Sequence, residues 1–550
     1  MRDHRIPRTE SAYAYPLLIK NLLHYPLVRA PEQEIVYRDQ LRYNYRTLHE
    51  RIGRLANALT ALGVKPGDTV AVMDWDSHRY LECFFAVPMI GAVLHTVNIR
   101  LSPEQILYTI DHAEDDVLLI HSEFLPILEQ IRGRIDTVKQ YVLLSDGGEP
   151  PAAPVPFAGE YEALLAAAAA DFDFPDFDEQ TRATTFYTTG TTGLPKGVYF
   201  SHRQLVLHTL GVLAALGTAV SQGRLHQGDI YMPITPMFHV HAWGVPYVAT
   251  ALGIRQVYPG KYAPDHLLEL IERERVTFSH CVPTILHMLL KSPLIDRIDL
   301  SRWKVIIGGA ALPKALCREA LRRGIDIFAG YGMSETCPIL TLAHLTPAMV
   351  DLNEDEEVEL RCKTGRPMPL VDLRVVDGEQ KELPHDGRSA GEIVVRAPWL
   401  TQGYLKDHRN SEVLWRGGVL HTGDVGHVDA AGYLKITDRT KDVIKIGGEW
   451  VSSLEIEDIL AQHPAVAEVA VIGMLDEKWG ERPLALIVAK PGYAEGFSEK
   501  ALHGYVRDFI DKGFLSKQAL LLRAQLVEMI DKTSVGKINK QALRAKHLPG

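Results

Sequence analysis

The sequence predicts an α/β protein with mostly parallel sheets, because short apolar strands alternate with amphipathic helices along much of the chain. Residues 44–64 carry apolar side chains at helical spacing and end at Gly63, and the TVAVMDW string after them is typical of a buried strand. The alternation continues with a helix predicted over 81–93 and a strand over 117–122. These repeated pairs indicate a large domain of mixed α/β layers.

Two later regions depart from this alternation. Residues 391–396 and 432–439 are typical of short strands divided by turns, which predicts a small β subdomain. Strand and helix patterns then resume, with a helix at LEIEDILAQ and strands at VAEVAVIGM and RPLALIVAK. We therefore expect a boundary near Thr440, between a large N-terminal domain (1–440) and a small, mobile C-terminal α+β domain (441–550).

Composition narrows the classes of function. The chain has 550 residues, enough for two to four folding units, with 46% hydrophobic and 23% charged residues, as in ordinary globular proteins. The formal net charge is −10 and no basic block is present, which argues against a nucleic-acid partner. The five cysteines form no CxxC pair, so neither a disulfide framework nor a cysteine zinc site is expected.

The chain shows no targeting or spanning segment. The N-terminus is polar and charged without an apolar core behind it, so no signal peptide is predicted. The longest apolar stretch, Val206 to Val220, is short for a membrane span and is typical of a buried helix. We expect a cytoplasmic protein without a transmembrane segment.

The strongest chemical signal is a ten-residue string that packs hydroxyls, glycines and a lysine after a predicted strand, ATTFY. Glycines let the backbone bring its N–H groups close to an anion, and hydroxyl and ammonium groups add donors for phosphate oxygens. A P-loop is excluded because Gly197, rather than Ser or Thr, follows the lysine. The candidate phosphate-binding residues are Thr188, Thr189, Gly190, Thr191, Thr192, Gly193 and Lys196.

This string resembles the phosphate loop of the adenylate-forming enzymes, which include acyl-CoA synthetases, nonribosomal adenylation domains and luciferases. The resemblance runs from about Leu41 to Leu543, with the family's motifs in order. It implies ATP, Mg²⁺ and coenzyme A as ligands. It also implies two more nucleotide-binding segments: Gly308, Gly309 and Ala310 in an adenine-lining segment, and Gly330, Tyr331, Gly332, Met333, Ser334, Glu335 and Thr336 in a segment similar to the YGxTE core.

Within the second segment the resemblance gives specific roles. Tyr331 would stack on adenine, and Glu335 would hold Mg²⁺ with Thr188 near the same ion. Ser334 stands where the family usually has Thr and keeps the hydroxyl. Lys196 and Glu335 are also counted among the expected catalytic residues.

Three further residues are implied near the predicted domain boundary. Asp424 lies in a string that resembles the family's TGD motif, whose carboxylate accepts both ribose hydroxyls. Arg439 would bind ribose or phosphate. Lys441 falls at the family's hinge position and is counted with the nucleotide-binding residues.

The C-terminal string Asp531–Ile538 resembles the PKTxxGKI segment, with Asp531 in place of Pro. Its Lys537 is the expected adenylation lysine, because a positioned ammonium offsets the repulsion between a carboxylate and the ATP α-phosphate.

Two further segments concern the expected substrates, the carboxylic acid and coenzyme A. The Pro236–Trp243 string resembles an aromatic-His motif of the acyl pocket, which makes His239 a catalytic and substrate-site candidate and Trp243 a gate candidate. The Lys445–Ser453 string resembles the fatty acyl branch. There Gly447 and Gly448 would let the pantetheine arm of CoA run along the backbone. Lys445 and Trp450 would approach the nucleotide.

The resemblance is closest to medium- or long-chain fatty acyl-CoA synthetases, so we expect a fatty acid–CoA ligase that releases AMP and pyrophosphate. An aromatic acid–CoA ligase and an enzyme that loads a separate carrier protein remain open. A luciferase-like oxygenase and a non-catalytic nucleotide-binding protein are less favoured. A homodimer is an expectation drawn from related synthetases.

Overall fold

The computed structural model describes residues 4, 6–147, 154–188, 194–219, 223–349, 352–446, 449–493, 498–512, 515, 517–532 and 538–548. The first part of the chain contains β1 (Glu34–Tyr37), β2 (Leu41–Asn44), β3 (Thr69–Met73), β4 (Val93–Thr96), β5 (Asp115–His121), β6 (Gln140–Leu144), β7 (Gly159–Glu160), β8 (Arg182–Thr188) and β9 (Lys196–Ser201), with α1 (His24–Arg29), α2 (Tyr45–Ala61), α3 (His78–Met89), α4 (Pro103–Ala113), α5 (Leu125–Ile131) and α6 (Tyr161–Ala167).

The second part supplies most of a larger sheet. It contains α7 (His202–Gly217), β10 (Ile230–Pro233), α8 (Val240–Trp243), α9 (Val245–Leu252), β11 (Arg255–Tyr258), α10 (Pro264–Glu274), β12 (Phe278–Cys281), α11 (Pro283–Lys291), β13 (Lys304–Ile307), α12 (Lys314–Arg322), β14 (Asp326–Gly332), β15 (Ile339–Leu342), α13 (Glu354–Arg361) and β16 (Arg366–Pro367).

The remaining elements build two smaller sheets. They are β17 (Asp372–Val376), β18 (Gly391–Arg396), α14 (His408–Leu414), β19 (Leu420–Val428), β20 (Leu434–Arg439), β21 (Ile444–Ile446), β22 (Glu449–Val451), α15 (Ser453–Ala461), β23 (Val466–Asp476), β24 (Gly480–Ala489), α16 (Glu499–Asp511), β25 (Arg523–Leu526) and α17 (Lys540–His547). Short 3₁₀ turns occupy Ile19–Leu23, Ser122–Phe124, Arg132–Arg134, Ile295–Arg297, Ser334–Thr336, Pro347–Met349, Arg416–Gly418 and Lys517–Leu521.

Two large sheets are mainly parallel, as the sequence predicts. One runs β7-β6-β5-β3-β4-β8-β9, and its parallel strands end in the antiparallel β8–β9 hairpin. The other runs β16-β15-β14-β13-β12-β10-β11-β1-β2, with parallel pairing from β14 through β1. In the described chain, β17 to β20 form an antiparallel sheet, and β21 to β25 form a separate small one. The predicted fold class is confirmed.

Local signals explain several element boundaries. Helix α2 begins where the Asn44 side chain accepts the Thr47 N–H at 3.0 Å, and it ends before Gly63, whose φ of +92° suits glycine. The helix predicted over 81–93 begins earlier, at His78, because Ser77 caps it. It also ends earlier, at Met89, and Val93 starts β4 instead. The apolar stretch after Val206 is the buried helix α7, as expected.

Apolar side chains collect in separate clusters. One large cluster extends from Ile19 to Leu434 and fills the space around the two large sheets. Two smaller clusters involve only residues from Ile444 onward, on the two faces of the C-terminal sheet. Each part of the chain therefore buries an apolar core of its own.

Candidate active site

The Gly/Thr string lies at the tip of the β8–β9 hairpin. Thr188 pairs with Lys196 across the two strands, so the last residue before the turn and the lysine after it lie side by side. Residues Thr189, Gly190, Thr191, Thr192 and Gly193 fall outside the described residues. Both flanking residues are half-buried, and the Leu405 N–H donates to the Gly197 carbonyl at 2.8 Å. The hairpin therefore packs against the segment around residue 405.

That segment contributes a tyrosine that links two predicted site residues. Tyr404 Oη donates to Glu335 Oε1 at 2.6 Å, and Lys196 Nζ lies 4.6 Å from the centre of the Tyr404 ring. The Thr401 N–H also donates to the Glu335 carbonyl at 3.0 Å. We call Lys196, Glu335 and Tyr404 the carboxylate cluster. It brings together two residues that are 139 positions apart in the chain.

Asp424 is the centre of a second cluster. Tyr331 Oη donates to Asp424 Oδ2 at 2.7 Å, and Arg439 Nε lies 3.3 Å from Asp424 Oδ1. The register of β19 and β20 produces this ion pair, since Asp424 and Arg439 are direct partners across the two strands. Thr422 Oγ1 accepts the Asp424 N–H at 3.1 Å and steadies the turn. We call Tyr331, Asp424 and Arg439 the ribose cluster.

The two clusters act on each other electrostatically. Glu335 is 7% exposed, and this burial raises the pKa of its carboxyl, while the charges of Arg439 and Lys196 oppose the rise. Both cations are therefore close enough to Glu335 to influence its ionisation. The arrangement places two cations and two carboxylates around one region of the surface, where it suits a polyphosphate and a ribose.

Glycines shape the backbone of this region. A Cβ at Gly332 would lie 1.7 Å from the Pro338 carbonyl oxygen, so only glycine fits where β14 passes that loop. Gly309 has a φ of +77° in the exposed turn after β13, next to Gly308 and Ala310. Gly330 lies on β14 between β13 and β15. The predicted adenine-lining segment, just after β13, and the YGxSE segment, on β14, therefore lie at neighbouring strands.

Two residues of the YGxSE segment have their polar groups engaged within the loop. The Thr336 hydroxyl accepts the Met333 N–H at 3.0 Å and donates to the Pro338 carbonyl. Thr336 is fully buried, so its hydroxyl stabilises the turn that presents Glu335. Ser334 and Met333 are half-buried on the same turn. The structure thus gives Thr336 a supporting place behind the predicted nucleotide site.

The predicted acyl segment has an unusual backbone. Val240, His241, Ala242 and Trp243 have φ values of +48°, +54°, +47° and +58°, so α8 is a left-handed turn of non-glycine residues. Left-handed geometry costs roughly 1–2 kcal/mol per residue, and such strain persists only where the surroundings impose it. His239 precedes the turn and is half-buried, whereas Trp243 is 6% exposed.

The remaining predicted residues lie after the boundary. Lys441 and Lys445 are exposed, and the Lys445 N–H donates to Glu481 Oε2 at 2.7 Å. Trp450 is the backbone partner of Lys445 on β22. Gly447, Gly448 and Lys537 lie outside the described residues. The roles given to these six residues stay predictions.

Sequence reasoning missed Tyr404, His241 and His280. Tyr404 reaches Glu335 across 69 positions, and no spacing rule connects them. His241 and His280 are fully buried, and burial lowers the pKa of each imidazole to about 3, so both are neutral near pH 7. A histidine within an apolar string is the only signal for them, and it is also typical of ordinary core residues.

The residues at the carboxylate cluster fit a magnesium ion. Mg²⁺ prefers oxygen ligands and is usually bound by one or two carboxylates together with substrate phosphates and water. Glu335 supplies one buried carboxylate, and the Thr188 hydroxyl lies on the strand beside Lys196. In the part of the chain that the structure describes, no group of three or more His, Cys, Asp or Glu side chains could hold a metal. The site therefore suits an ion that arrives with its phosphate ligands.

This fold and these two clusters define the class of adenylate-forming enzymes, and comparison with known proteins supports the assignment. The AMP-binding enzyme family matches residues 26–405, and the AMP-binding enzyme C-terminal domain matches residues 455–537. The chain belongs to the AMP-binding enzyme family.

Individual proteins show the same likeness along nearly the whole chain. A long-chain-fatty-acid–CoA ligase of Thermus thermophilus is 40% identical over 512 residues, which are 92% of this chain and 90% of the relative. A 3-methylmercaptopropionyl-CoA ligase of Ruegeria pomeroyi is 38% identical over 509 residues, 91% of each chain. The crystal structure of the anthranilate CoA ligase AuaEII with anthranoyl-AMP matches with a TM-score of 0.81 at 26% identity, covering 97% of this chain and 98% of that one.

Proposed function

We propose that this AMP-forming acyl-CoA synthetase activates a medium- or long-chain fatty acid with ATP and transfers the acyl group to CoA. The observation that carries the proposal is the joining of the carboxylate and ribose clusters around Glu335, where Lys196 and Arg439 both act on one buried carboxylate. The relative that is 40% identical is named a long-chain-fatty-acid–CoA ligase, which favours a fatty acid over an aromatic acid.

In the first step the fatty carboxylate attacks the α-phosphate of ATP, forming acyl-AMP and releasing pyrophosphate. Two anions must approach each other, so positive charge near the phosphates lowers the barrier. Lys196 supplies such a charge from the hairpin. The ribose cluster would hold the nucleotide, with the Asp424 carboxylate accepting ribose hydroxyls and Tyr331 stacking on adenine.

Glu335 and Thr188 would hold Mg²⁺ in this step. The ion would offset the negative charge of the phosphates when bound. Tyr404 fixes the orientation of the Glu335 carboxylate through the 2.6 Å hydrogen bond. A carboxylate held in this way needs little rearrangement when the ion and nucleotide arrive.

In the second step the CoA thiol attacks the acyl carbon and AMP departs. We infer that residues 1–440 and 441–550 act as two units, turning about Lys441, so that Lys537 serves adenylation and Gly447–Gly448 serve thioester formation. The separate apolar clusters after Ile444 support a unit that keeps its own core while it moves. Such a turn would be a conformational step of the kind that limits many enzymes.

The cellular location and the oligomeric state of the enzyme can also be inferred. Among the described helices, none has the length and apolar character needed to cross a membrane. We propose a cytoplasmic enzyme, because the cysteine pattern suits a reducing compartment, and a homodimer, from the resemblance to related synthetases. Size-exclusion chromatography with light scattering tests the dimer, and fractionation of the source cells tests the location.

The deciding experiment measures AMP release with ATP, Mg²⁺ and CoA against acetate, 3-(methylthio)propionate, octanoate, palmitate and benzoate. We expect the highest kcat/KM with octanoate or palmitate, and pyrophosphate release without CoA that stops near one equivalent. Turnover only with benzoate would indicate an aromatic acid ligase. Turnover with acyl carrier protein but not CoA would indicate a carrier-loading enzyme, and no AMP with any acceptor would contradict the proposal.

A further inference from the structure

Two cysteine side chains meet between α12 and α13. Cys317 lies on α12, and Cys362 directly follows the last residue of α13. Their thiols are hydrogen-bonded to each other. Lys314 on α12 also pairs with Glu359 on α13, so an ion pair joins the same two helices. The contact therefore brings together two sulfur atoms whose residues are 45 positions apart in the chain.

The neighbouring residue Arg361 fixes the position of Cys362. Arg361 is 3% exposed, and its guanidinium donates to Asp326 Oδ1 at 2.8 Å and to the Ile327 carbonyl at 2.6 Å. Both acceptors lie at the start of β14, the strand that follows α12 in the chain. Helix α12 also contacts this strand. The two thiols are therefore held beside the strand that carries Tyr331 of the ribose cluster.

The pair differs from the other cysteines in its access to solvent. Cys83, Cys281 and Cys337 are fully buried, and burial raises the pKa of each of these thiols. Because the thiolate is the form that reacts with oxidants, a raised pKa and exclusion from solvent both protect these three sulfur atoms. Cys362 is half-buried, so a small oxidant can reach the pair from its side.

Within the pair, Cys317 is the sulfur that ionises first. The hydrogen bond that it accepts from Cys362 lowers the pKa of the Cys317 thiol, the positive charge of Arg361 lowers it further, and burial opposes both effects. The same hydrogen bond and burial raise the pKa of Cys362. A readily ionised cysteine beside a second thiol that can react with it is the arrangement of redox-sensitive cysteines.

We propose that Cys317 and Cys362 form a redox modification site, at which hydrogen peroxide produces a reversible disulfide. The Cys317 thiolate attacks one peroxide oxygen, so the O–O bond breaks and gives a sulfenic acid and hydroxide, which takes up the proton that Cys317 lost. The Cys362 sulfur then attacks the sulfenic sulfur. The S–S bond forms as the S–O bond breaks, and the released hydroxide takes the Cys362 proton to give a second water. Both sulfur atoms are oxidised, the peroxide is reduced to water, and a dithiol such as dithiothreitol reverses the change by thiol–disulfide exchange.

The test counts the free thiols of the wild-type protein. After brief treatment with hydrogen peroxide and denaturation, we expect the number of cysteines that N-ethylmaleimide labels to fall from five to three, and dithiothreitol to restore it. Peptide mass mapping without reduction should show Cys317 joined to Cys362. Five labelled thiols after treatment, or oxygen added to single cysteines without a bond between these two, would overturn the proposal.

Two variants separate this pair from general oxidation of the chain. Cys362→Ser removes the partner thiol, so peroxide should leave Cys317 without a disulfide. Cys83→Ala removes a fully buried cysteine elsewhere in the fold, and its labelled thiols should still fall from four to two. A disulfide at Cys317 in treated Cys362→Ser, or none in folded Cys83→Ala, would contradict the assignment of this pair.

The disulfide should also change the use of ATP, an effect that rests on the proposed function. Helix α12 begins at Lys314, shortly after the predicted adenine-lining residues 308–310, and the new bond joins this helix to Cys362. We expect the KM for ATP to rise by roughly 2- to 30-fold in the oxidised wild type, the range typical of coupling through packed elements. Treated Cys362→Ser should keep its untreated KM. An equal KM in oxidised and reduced wild type would refute the coupling to ATP, whereas a disulfide in a protein that activates no acid would contradict only the proposed function.

Discussion

Tyr404 shows how one side chain can prepare a site before its ligand arrives. Its hydroxyl donates to Glu335 at 2.6 Å, while its ring lies beneath the Lys196 ammonium. The same residue therefore orients the carboxylate proposed for Mg²⁺ and limits where the lysine can lie. Because Glu335 is buried, a hydrogen bond to its charged form is worth more than one in water.

We expect Tyr404→Phe to lower the apparent affinity of the enzyme for Mg²⁺, while the phenyl ring stays beside Lys196. Loss of a partner behind a metal ligand typically costs about 10- to 100-fold in affinity or activity. Pyrophosphate release at varied Mg²⁺ concentration should show a higher half-saturating concentration in the variant. Tyr199→Phe, a half-buried tyrosine on β9, is the matched control, and an identical Mg²⁺ dependence in wild type and Tyr404→Phe would contradict this role.

At the scale of elements, a buried carboxylate ties the strained segment that is predicted to border the acyl group to the first large sheet. Asp76, just after β3, accepts the Met237 N–H at 2.8 Å and the hydroxyl proton of Tyr262. Burial raises the pKa of Asp76 to about 7. The left-handed turn that follows Met237 is therefore anchored by a group that is partly protonated near neutral pH.

This anchor predicts a pH dependence of stability. The folded pKa of about 7 exceeds the unfolded value of about 3.9, so the folded state binds the extra proton. The contribution of this group to the free energy of unfolding is complete below about pH 4 and is lost as the pH rises through 7. The loss is on the order of 4 kcal/mol. Asp76→Asn removes the titration, so its stability relative to the wild type should rise between pH 4 and pH 8.

Thermal melting of both proteins across this range measures the difference. Asp146→Asn is the control, because Arg79 and Tyr37 bind Asp146 and its pKa lies below its usual value. Its titration falls below pH 4, so the melting difference from the wild type should be constant from pH 5 to pH 8. A constant difference for Asp76→Asn as well would show that the Asp76 carboxyl does not titrate in this window.

Elements whose local signals agree with the fold were predictable from the sequence. Helix α2 has an apolar stripe, the Asn44 cap and Gly63 at its end, and strand β18 matches its predicted bounds. The left-handed turn at 240–243 was not predictable, because every local preference of those residues opposes it. Helix α3 begins at His78, before the predicted start at 81, because the Ser77 side chain caps it.

The residues of the candidate site also divide into those that the sequence predicts and those that it does not. Lys196, Glu335, Asp424 and Arg439 were found because each lies in a string with distinctive chemistry. Their partner Tyr404, and His280, which stacks on Trp243, depend on contacts between distant strands, which spacing along the chain does not encode. Sequence motifs thus indicated the groups proposed to bind the nucleotide, and the structure was needed to identify the side chains that contact those groups.

For the whole molecule, the contacts across the proposed boundary bear on how the two units work together. Asp438, 1% exposed at the end of β20, accepts both the N–H and the hydroxyl proton of Ser453 at 2.6 Å. Lys540 donates to the Ser453 hydroxyl at 2.6 Å and pairs with Glu457 at 2.8 Å. A turn about Lys441 would separate Asp438 from Ser453, so these bonds belong to one orientation of the C-terminal unit.

Two orientations with different chemical roles predict that one lysine serves only one half-reaction. Lys537→Ala should slow acyl-AMP formation by roughly 10²- to 10³-fold, the usual cost of removing one group that stabilises developing charge. Formation of acyl-CoA from supplied acyl-AMP should change far less, because Lys537 would have left the site in that step. Pyrophosphate release measures the first half-reaction, and thioester formation from synthetic acyl-AMP measures the second.

The matched control is another lysine of the same C-terminal stretch, Lys532, whose ammonium pairs with Glu468 at 2.8 Å. Lys532→Ala removes the same charge from the unit but should leave both half-reactions near wild-type rates, which separates the position of Lys537 from the net charge of the stretch. If a folded Lys537→Ala protein lost both half-reactions equally, one orientation would have to serve both steps. The Asp438–Ser453 bonds would then persist through the whole cycle rather than mark one stage of it.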